Sequence, residues 1–398
     1  MTGVQWLKLD KTSLSTIPEE MGKLVKLEHL SLVGNGLERL YGELTELSCL
    51  RTLNLRRNKV RSSGVPAELF HLEELTTFDL SHNNLREVPS GMEVARSLLV
   101  LNLSHNKIEA IPSALFMHLT DLLYLDLSHN LLETLPPQTR RLANLQTLIL
   151  SHNPLGHFQL RQLPSLQSLS VLHMRATQRT LHNIPGSLDS LTSLSELDLA
   201  QNNLPRVPDA LYALVNLKRL NLADNEITEV SQSIENWQKL ENLNLCRNRL
   251  TALPSGLCKL GYLRRLYVND NFLDFDGIPS GMGKLGALEV FSAANNKLEM
   301  IPEGLFRCGS LKKLILSSNR LVTLPEAVHL TELDELDLRN NPDLVMPPKP
   351  GDLNAAGQRG AGIEFYNIDF SLQHQLRLAG AAPALPASAA NAGTFIKS

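Results

Sequence analysis

The sequence predicts an α/β solenoid with a parallel sheet on its concave side and short helices on its convex side. Three observations carry this prediction. The pattern LxxLxLxxNxL recurs 15 times at steps of 22 to 25 residues, Asn fills its ninth position in thirteen units, and an apolar-Pro pair follows it in most units. This combination is the signature of a leucine-rich-repeat horseshoe. The first positions of the 15 units are Val4, Leu27, Leu50, Leu75, Leu98, Leu122, Leu145, Leu169, Leu194, Leu217, Leu240, Leu263, Leu288, Leu311 and Leu333.

The first half of each unit predicts a strand followed by a turn. Side chains alternate between the two faces of a strand, so in the unit that begins at Leu122 the fourth and sixth residues point inward. Positions 3, 5 and 7 then point to the concave surface. An Asn at position 9, such as Asn130, can satisfy buried backbone groups with both ends of its amide. Thr12 and Thr177 replace this Asn in two units and can do part of that work.

The second half of each unit predicts a short helix. Proline has a fixed φ and no N–H, so the apolar-Pro pairs suit a first helical turn. The spacing from Leu115 to Leu119 then gives one apolar stripe that faces the core. The pairs include Ile17-Pro18, Val88-Pro89, Ile111-Pro112, Leu135-Pro136, Leu253-Pro254, Ile301-Pro302 and Leu324-Pro325.

We expect three regions along the chain. Residues 1–346 form the repeat array of about 15 units, in which stacking buries the leucines that a single unit cannot bury alone. Residues 347–378 begin with a proline-rich stop and form a cap or extension, and residues 379–398 are an Ala-, Pro- and Ser-rich linker-like tail. The array starts at Val4 without a polar cap, so we also expect the chain to begin inside a longer array.

Composition limits the classes of function. The net charge of −3 and the pI near 6.5 give no field that favours nucleic acid or an anionic membrane. The spacings of the four cysteines match no zinc site and no disulfide framework, which is typical of a reducing compartment. We find no signal peptide and no apolar run long enough to span a membrane. The sequence therefore predicts a cytoplasmic protein without nucleic-acid or membrane partners.

Two groups of concave positions are candidate partner-binding sites. Apolar residues beside a tyrosine occur in three adjacent units, and such patches are typical of interfaces: Leu99, Val100, Leu123, Tyr124 and Ile149. Paired cations occur in three units of the second half, where Glu241 and Glu289 stand in the intervening units, with Tyr267 nearby: Lys218, Arg219, Arg264, Arg265, Lys312 and Lys313. These cations form either a cross-strand charge ladder or a surface for an acidic partner.

Four histidines and one glycine-rich stretch have weaker functional interpretations. Ser-His-Asn recurs at His82, His105, His129 and His152, where a metal ladder, a solvated repeat position and a pH-sensitive partner surface are the alternatives. The outer two histidines should lie roughly 14 Å apart, too far for one metal ion. Residues 281–284 lack the spacing of a phosphate-binding loop. We find no catalytic set and expect no metal, no cofactor and no enzymatic activity.

Several stretches go beyond a generic repeat, including positions outside the repeat pattern. They are His118–Leu127, Ala176–Thr180, Leu273–Gly281, Leu321–Glu326, Asn341–Pro350 and Tyr366–Leu372. With them the chain, from about residue 4 to 380, resembles the repeat half of the Flightless-I family. In that family the repeats precede six gelsolin-like segments that carry most of the actin binding and severing. This sequence contains none of those segments, so actin binding by this chain does not follow.

The resemblance implies a protein of the actin cytoskeleton, and also of the nucleus, whose repeats recruit partners. It implies coiled-coil repeat-interacting proteins and Ras-type GTPases as those partners. The sequence favours a non-enzymatic binding scaffold, because a catalytic domain needs about 100 residues or more and none lies outside the repeats. A regulatory subunit, a Ras-type GTPase effector scaffold and a truncated fragment without independent function are the alternatives.

Overall fold

The computed structural model describes residues 3–184 and 188–345. The chain divides into two compact units, Met1–Asn202 and Asn203–Ser398. In each unit the repeated coil consists of a three-residue strand, a tight turn and, in most coils, a short helix. The predicted cap of residues 347–378 and the predicted tail of residues 379–398 lie outside the described residues.

Within its described residues, the first unit contains nine strands, and each pairs in parallel with the next one along the chain. The pairing joins equivalent repeat positions, so Leu125 lies beside Leu148. The strands are β1 Trp6–Lys8, β2 His29–Ser31, β3 Thr52–Asn54, β4 Thr77–Asp79, β5 Val100–Asn102, β6 Tyr124–Asp126, β7 Thr147–Ile149, β8 Val171–His173 and β9 Glu196–Asp198.

The described part of the second unit repeats this arrangement with six strands, again parallel and in register. Leu220 lies beside Leu243, which lies beside Leu266, so one leucine column fills the interior. These three leucines are at most 2% exposed. The strands are β10 Arg219–Asn221, β11 Asn242–Asn244, β12 Arg265–Tyr267, β13 Val290–Ser292, β14 Lys313–Ile315 and β15 Glu335–Asp337.

The buried asparagines bond the turns as the sequence predicts. The side-chain amide of Asn130 donates to the carbonyl oxygens of Leu103 and Leu127, both at 3.0 Å, and its oxygen accepts from the Ile108 N–H at 3.0 Å. Thr177, at the same position of its unit, makes one side-chain bond, from its hydroxyl to the Met174 carbonyl oxygen at 2.7 Å. The amide ladder thus connects neighbouring coils, which the hydroxyl does not do.

The helices differ from the prediction in type and in where proline sits. The fold class is confirmed, but the short helices are 3₁₀ helices, apart from α1, Ser113–His118. In the first unit they are Glu19–Lys23, Gly42–Glu46, Ser62–Gly64, Ala67–His71, Met92–Val94, Pro137–Arg141 and Leu160–Gln162. In the second unit they are Asp209–Ala213, Gln232–Asn236, Ser255–Lys259, Ser280–Lys284, Glu303–Arg307 and Glu326–Leu330.

Proline mostly precedes the first helical turn and does not form part of it. Pro18 lies just before its helix with φ −63° and ψ 138°, an extended conformation that its ring allows. Its carbonyl oxygen accepts the first helical hydrogen bond, from the Met21 N–H at 3.0 Å. A coil of 23 residues leaves room for about five helical residues, and the i→i+3 bonding of a 3₁₀ helix closes such a short turn.

One buried cation was not anticipated from the sequence. Arg179 stands where most other units place a leucine, and its side chain is fully buried. Its guanidinium donates to the carbonyl oxygens of Phe158 at 2.7 Å, Thr177 at 3.2 Å and Leu155. Burial lowers the pKa of Arg179 to about 10. The arginine therefore bonds buried carbonyl groups of its own coil and of the preceding one, whereas Thr177 and Asn202 bond the Met174 carbonyl oxygen.

Candidate partner-binding surfaces

The structure brings the five predicted apolar residues of the first unit together. We call Leu99, Val100, Leu123, Tyr124 and Ile149 the apolar patch. Val100 on β5 pairs with Tyr124 on β6, and Ile149 ends the adjacent strand β7. All five side chains are partly exposed. The patch thus spans three adjacent strands and reaches solvent, with Ile149 beside Asp126 in the sheet.

Tyr124 has the most distinctive environment in the apolar patch. Burial raises the pKa of the Tyr124 phenol to about 12, and the carboxylates of Asp126 and Asp79 add to the shift. The phenol is therefore neutral throughout the physiological range and can donate a hydrogen bond. Among the described residues, no hydrogen-bond partner for this hydroxyl is present. A half-buried tyrosine with an unused donor is typical of a residue that anchors an interface.

The carboxylates near Tyr124 are bonded to the backbone. Asp126 is 9% exposed and accepts from the Ser128 N–H at 2.9 Å and from the Ser128 hydroxyl at 2.7 Å. Asp79 accepts from the Ser81 N–H at 2.8 Å. These bonds hold the carboxylates in place, so the polar border of the apolar patch is fixed before any partner arrives.

The predicted cations of the second unit are all exposed, and the three that lie in strands share one face of the sheet. We call Lys218, Arg219, Arg264, Arg265, Lys312 and Lys313 the cationic surface. Their third-position members begin alternate strands, namely Arg219 on β10, Arg265 on β12 and Lys313 on β14. Two strand spacings separate each from the next, about 9.6 Å. Tyr267 ends β12 on the same face and is partly exposed.

Part of the cationic surface forms the predicted cross-strand ladder. Arg264 donates to one Glu289 carboxylate oxygen through Nε at 3.0 Å and Nη2 at 2.7 Å. Lys313 Nζ lies 3.1 Å from Glu335 Oε2. These side chains are exposed to solvent, so each pair contributes little to stability. An acidic partner can therefore compete with Glu289 and Glu335 for these cations.

The four histidines form a stacked column that the sequence did not predict. His82, His105, His129 and His152, which we call the histidine strip, have successive ring centroids 3.9, 4.0 and 4.2 Å apart. All four have positive φ, between 53° and 57°, where the chain leaves the strand. Burial lowers the pKa of His82, His105 and His129, and like charges on neighbouring groups add to this shift. The recurrence of Ser-His-Asn in four consecutive units was the available signal.

Two sequence features remain, the glycine-rich stretch of residues 281–284 and the interpretation of the histidines as a metal ladder. A Cβ at Gly283 would lie 2.7 Å from the carbonyl oxygen of Gly304, and one at Gly281 would lie 3.1 Å from Cys258 Sγ. Close packing of adjacent coils therefore accounts for these glycines. Within residues 3–184 and 188–345, no cluster of three or more His, Cys, Asp or Glu side chains is arranged to hold a metal ion.

The part of the chain that the structure describes has no helix both long and apolar enough to cross a bilayer.

Family models and a solved structure identify the class of protein to which the chain belongs. Family models match residues 96–155 as "Leucine rich repeat", residues 201–317 as "Leucine-rich repeat region" and residues 46–67 as "Leucine Rich repeat". The LRR protein LIC12759 of Leptospira interrogans has a similar structure, with a TM-score of 0.73, 29% identity and coverage of 86% of this chain and 91% of that one. The protein is therefore a leucine-rich-repeat protein with a parallel sheet.

The LRR ectodomain of the Arabidopsis thaliana receptor kinase GASSHO1/SCHENGEN3, solved in complex with CASPARIAN STRIP INTEGRITY FACTOR 2, is also similar. Its TM-score is 0.64 at 30% identity, covering 84% of this chain and 43% of that one. The human protein flightless-1 homolog is 58% identical over 395 residues, which is 99% of this chain and 30% of that protein. The chain belongs to the Flightless-1 family and spans about three-tenths of the length of the relatives it matches.

Proposed function

We propose that this chain is a non-enzymatic scaffold that docks partner proteins on the exposed face of its sheet, the face that the sequence predicts to be concave. The single observation that carries the proposal is the apolar patch with the unused hydroxyl of Tyr124 at its centre. An aromatic anchor surrounded by aliphatic side chains concentrates binding energy in protein interfaces. The similar Arabidopsis ectodomain, which was solved with a bound factor, supports the same kind of use.

The cationic surface supplies the second docking element, in the other unit. Exposed cations about 9.6 Å apart along the sheet complement carboxylates on a partner and increase its association rate. An acidic helix or the effector loop of a GTPase has this chemistry. Family resemblance puts coiled-coil repeat-interacting proteins and Ras-type GTPases first among the partners to test. It also associates the protein with the actin cytoskeleton, with the nucleus as a second location, and actin is reached only indirectly through this chain.

Two alternatives make different predictions. A regulatory subunit would change the turnover of an enzyme when it binds, and a plain scaffold would capture its partner without changing a rate. A truncated fragment without independent function would bind none of the family's partners even when it is well folded. Cooperative unfolding of the purified chain, measured by circular dichroism, is the check that makes a negative binding result interpretable.

The test is direct binding of purified partners to the double variant Leu123→Asp, Tyr124→Ala. Biolayer interferometry with a GTP-analogue-loaded Ras-type GTPase and with a coiled-coil repeat-interacting protein should show a loss of at least about tenfold in affinity for one of them. The matched control is Tyr262→Ala, which removes a tyrosine that is 68% exposed but lies outside the strands. Equal affinities for wild type and double variant would remove the apolar patch from the proposal.

A second pair of variants tests the cationic surface separately. The double variant Arg265→Glu, Lys313→Glu should slow association and reduce its salt dependence, since exposed interface charges act mainly on the association rate. Arg320→Glu changes an exposed cation outside the strands and serves as the control. The control changes the net charge by half as much as the double variant, so if it changes the rate by half as much or more, the effect is one of net charge and this surface has no specific role.

A further inference from the structure

The histidine strip leaves its ring edges available for binding. Each imidazole stacks face to face on the next, and the three centroid separations total about 12 Å. The inner ring faces are therefore occupied by neighbouring rings, and the nitrogen-bearing edges are not. His105 and His129, the central pair, are exposed. Within the described residues, none of the four imidazoles takes part in a hydrogen bond or an ion pair.

The charges around the histidine strip favour an anion. Arg56 and Arg57, both exposed, lie in the preceding coil and act on His82 and His105 through their charge. The carboxylates that face the strip are Asp79 and Asp126. Both accept hydrogen bonds from the backbone N–H of the serine two residues later. The acidic groups are thus held by the turn, and protonation of the strip would create positive charge that the local carboxylates only partly neutralise.

We propose that the histidine strip, together with Arg56 and Arg57, binds an acidic segment of a partner protein, and that this binding strengthens as the pH falls from about 7.5 to about 5.5. The site lies in the turns that follow strands β3 to β7, outside the apolar patch and the cationic surface. It therefore goes beyond the docking proposed above and can succeed or fail independently of it.

The mechanism follows from the stacking. Four parallel rings about 4 Å apart resist simultaneous protonation, because each new positive charge repels its neighbours. Partial burial lowers the pKa of His82, His105 and His129, and the charges of Arg56 and Arg57 at His82 and the repulsion between rings lower it further, so the neutral form is favoured at neutral pH. A row of carboxylates offsets the repulsion and favours the charged form. Binding is therefore coupled to proton uptake, and acidification strengthens it.

An acidic peptide fits the strip better than a nucleic acid does. Carboxylates on one side of an extended segment recur about every 6.6–6.8 Å, so a strip of 12 Å meets two or three of them. Proteins that bind single-stranded nucleic acid stack bases on free aromatic faces. Here the inner faces of the rings stack on each other, which leaves no such platform along the strip.

The test uses the whole chain and a fluorescein-labelled peptide of alternating Asp and Ser, whose carboxylates stay ionised at both pH values. Fluorescence anisotropy should give roughly tenfold tighter binding at about pH 5.5 than at about pH 7.5. The double variant His105→Asn, His129→Asn should lose most of this gain. Asn295 and Asn340 occupy the equivalent positions of their coils with φ of 55° and 58°, so the variant keeps a backbone that asparagine accepts.

The matched control is His118→Asn, which removes an exposed histidine at the end of α1 and should retain the full gain. Calorimetry in two buffers of different ionisation enthalpy should also detect proton uptake on binding by the wild type. Equal affinity at the two pH values, or a gain that persists in the double variant, would overturn the proposal. Tighter binding of a labelled oligonucleotide or of anionic vesicles than of the peptide would overturn the assignment of the partner class.

Discussion

Replacement of Asn130 by alanine tests whether the amide ladder holds the coils together. The Ile108 N–H loses the acceptor that Asn130 provides, and an unsatisfied buried donor costs about 1–3 kcal/mol. The carbonyl oxygens of Leu103 and Leu127 each keep a second amide donor, from Asn106 and Asn153. Each of those two lost bonds then costs about 0.5–1.5 kcal/mol. The variant should be destabilised by about 4 kcal/mol in total.

The variant Asn130→Thr refines this prediction. The hydroxyl of Thr177 bonds the carbonyl oxygen of its own strand at 2.7 Å and supplies no acceptor to the coil before it. In that preceding coil, the Leu155 N–H donates instead to the Asn153 carbonyl oxygen at 2.8 Å. Threonine at position 130 should therefore recover only about 1 kcal/mol relative to alanine.

Urea unfolding followed by far-ultraviolet circular dichroism measures both variants of Asn130 against the wild type. The midpoint and the slope should be compared together, since a long array can lose cooperativity. A cost below about 1 kcal/mol for Asn130→Ala, or an Asn130→Thr variant no more stable than it, would refute the reasoning. Either result would mean that the turns bond their backbone groups without the side-chain amide.

Three further predictions follow from buried groups. Burial raises the pKa of both Tyr124 and Tyr212 to about 12, so absorbance at alkaline pH should detect both phenols ionising near pH 12. Because the folded chain favours the neutral phenols, this stabilisation is present below about pH 10 and is lost as the pH rises through 12, and Tyr124→Phe should remove only the share that Tyr124 contributes to the absorbance change and to the loss of stability. Gly283→Ala should destabilise the fold by about 2 kcal/mol in urea unfolding, because its Cβ would lie 2.7 Å from the Gly304 carbonyl oxygen of the next coil. Gly286→Ala should leave stability unchanged, since a Cβ there would have no atom within 4 Å. Equal effects of the two substitutions would contradict the packing argument. Trp6→Phe removes the tryptophan that is 74% exposed, so the remaining emission comes from Trp237, which is fully buried. The fluorescence spectrum of this variant should therefore be shifted to shorter wavelengths than that of the wild type, and an unshifted spectrum would count against the burial of Trp237.

The strand-and-turn half of each coil was predictable from residues alone. Leu125 and Leu127 are fully buried and Tyr124 is partly exposed, as alternation along a strand requires. The helical half was less predictable. Most coils close with 3₁₀ geometry, including the 24-residue coil that begins at Leu145, whereas the coil of equal length that begins at Leu98 closes an α turn, with the Leu119 N–H donating to the Leu115 carbonyl oxygen at 3.2 Å. The pattern of apolar residues is similar in both cases, so it did not distinguish them.

The candidate surfaces were also predictable only in part. The sequence singled out the members of the apolar patch and the cationic surface at positions in or beside the strands, and in the structure these side chains are at least partly exposed. It did not predict the unused hydroxyl of Tyr124, the carbonyl-bonded guanidinium of Arg179 or the stacking of the histidine strip. Each of these depends on atoms from neighbouring coils, which a single repeat does not contain.

By itself, the sequence determined which side chains of each coil enter the core, which reach the outer sheet face, and how one coil follows another. These properties depend on local alternation and on the repeat period. Only the tertiary structure decided what each exposed side chain meets. Residues 23 or 24 positions apart, such as His105 and His129, have rings 4.0 Å apart once the coils stack in register, and that proximity sets their protonation and their available partners.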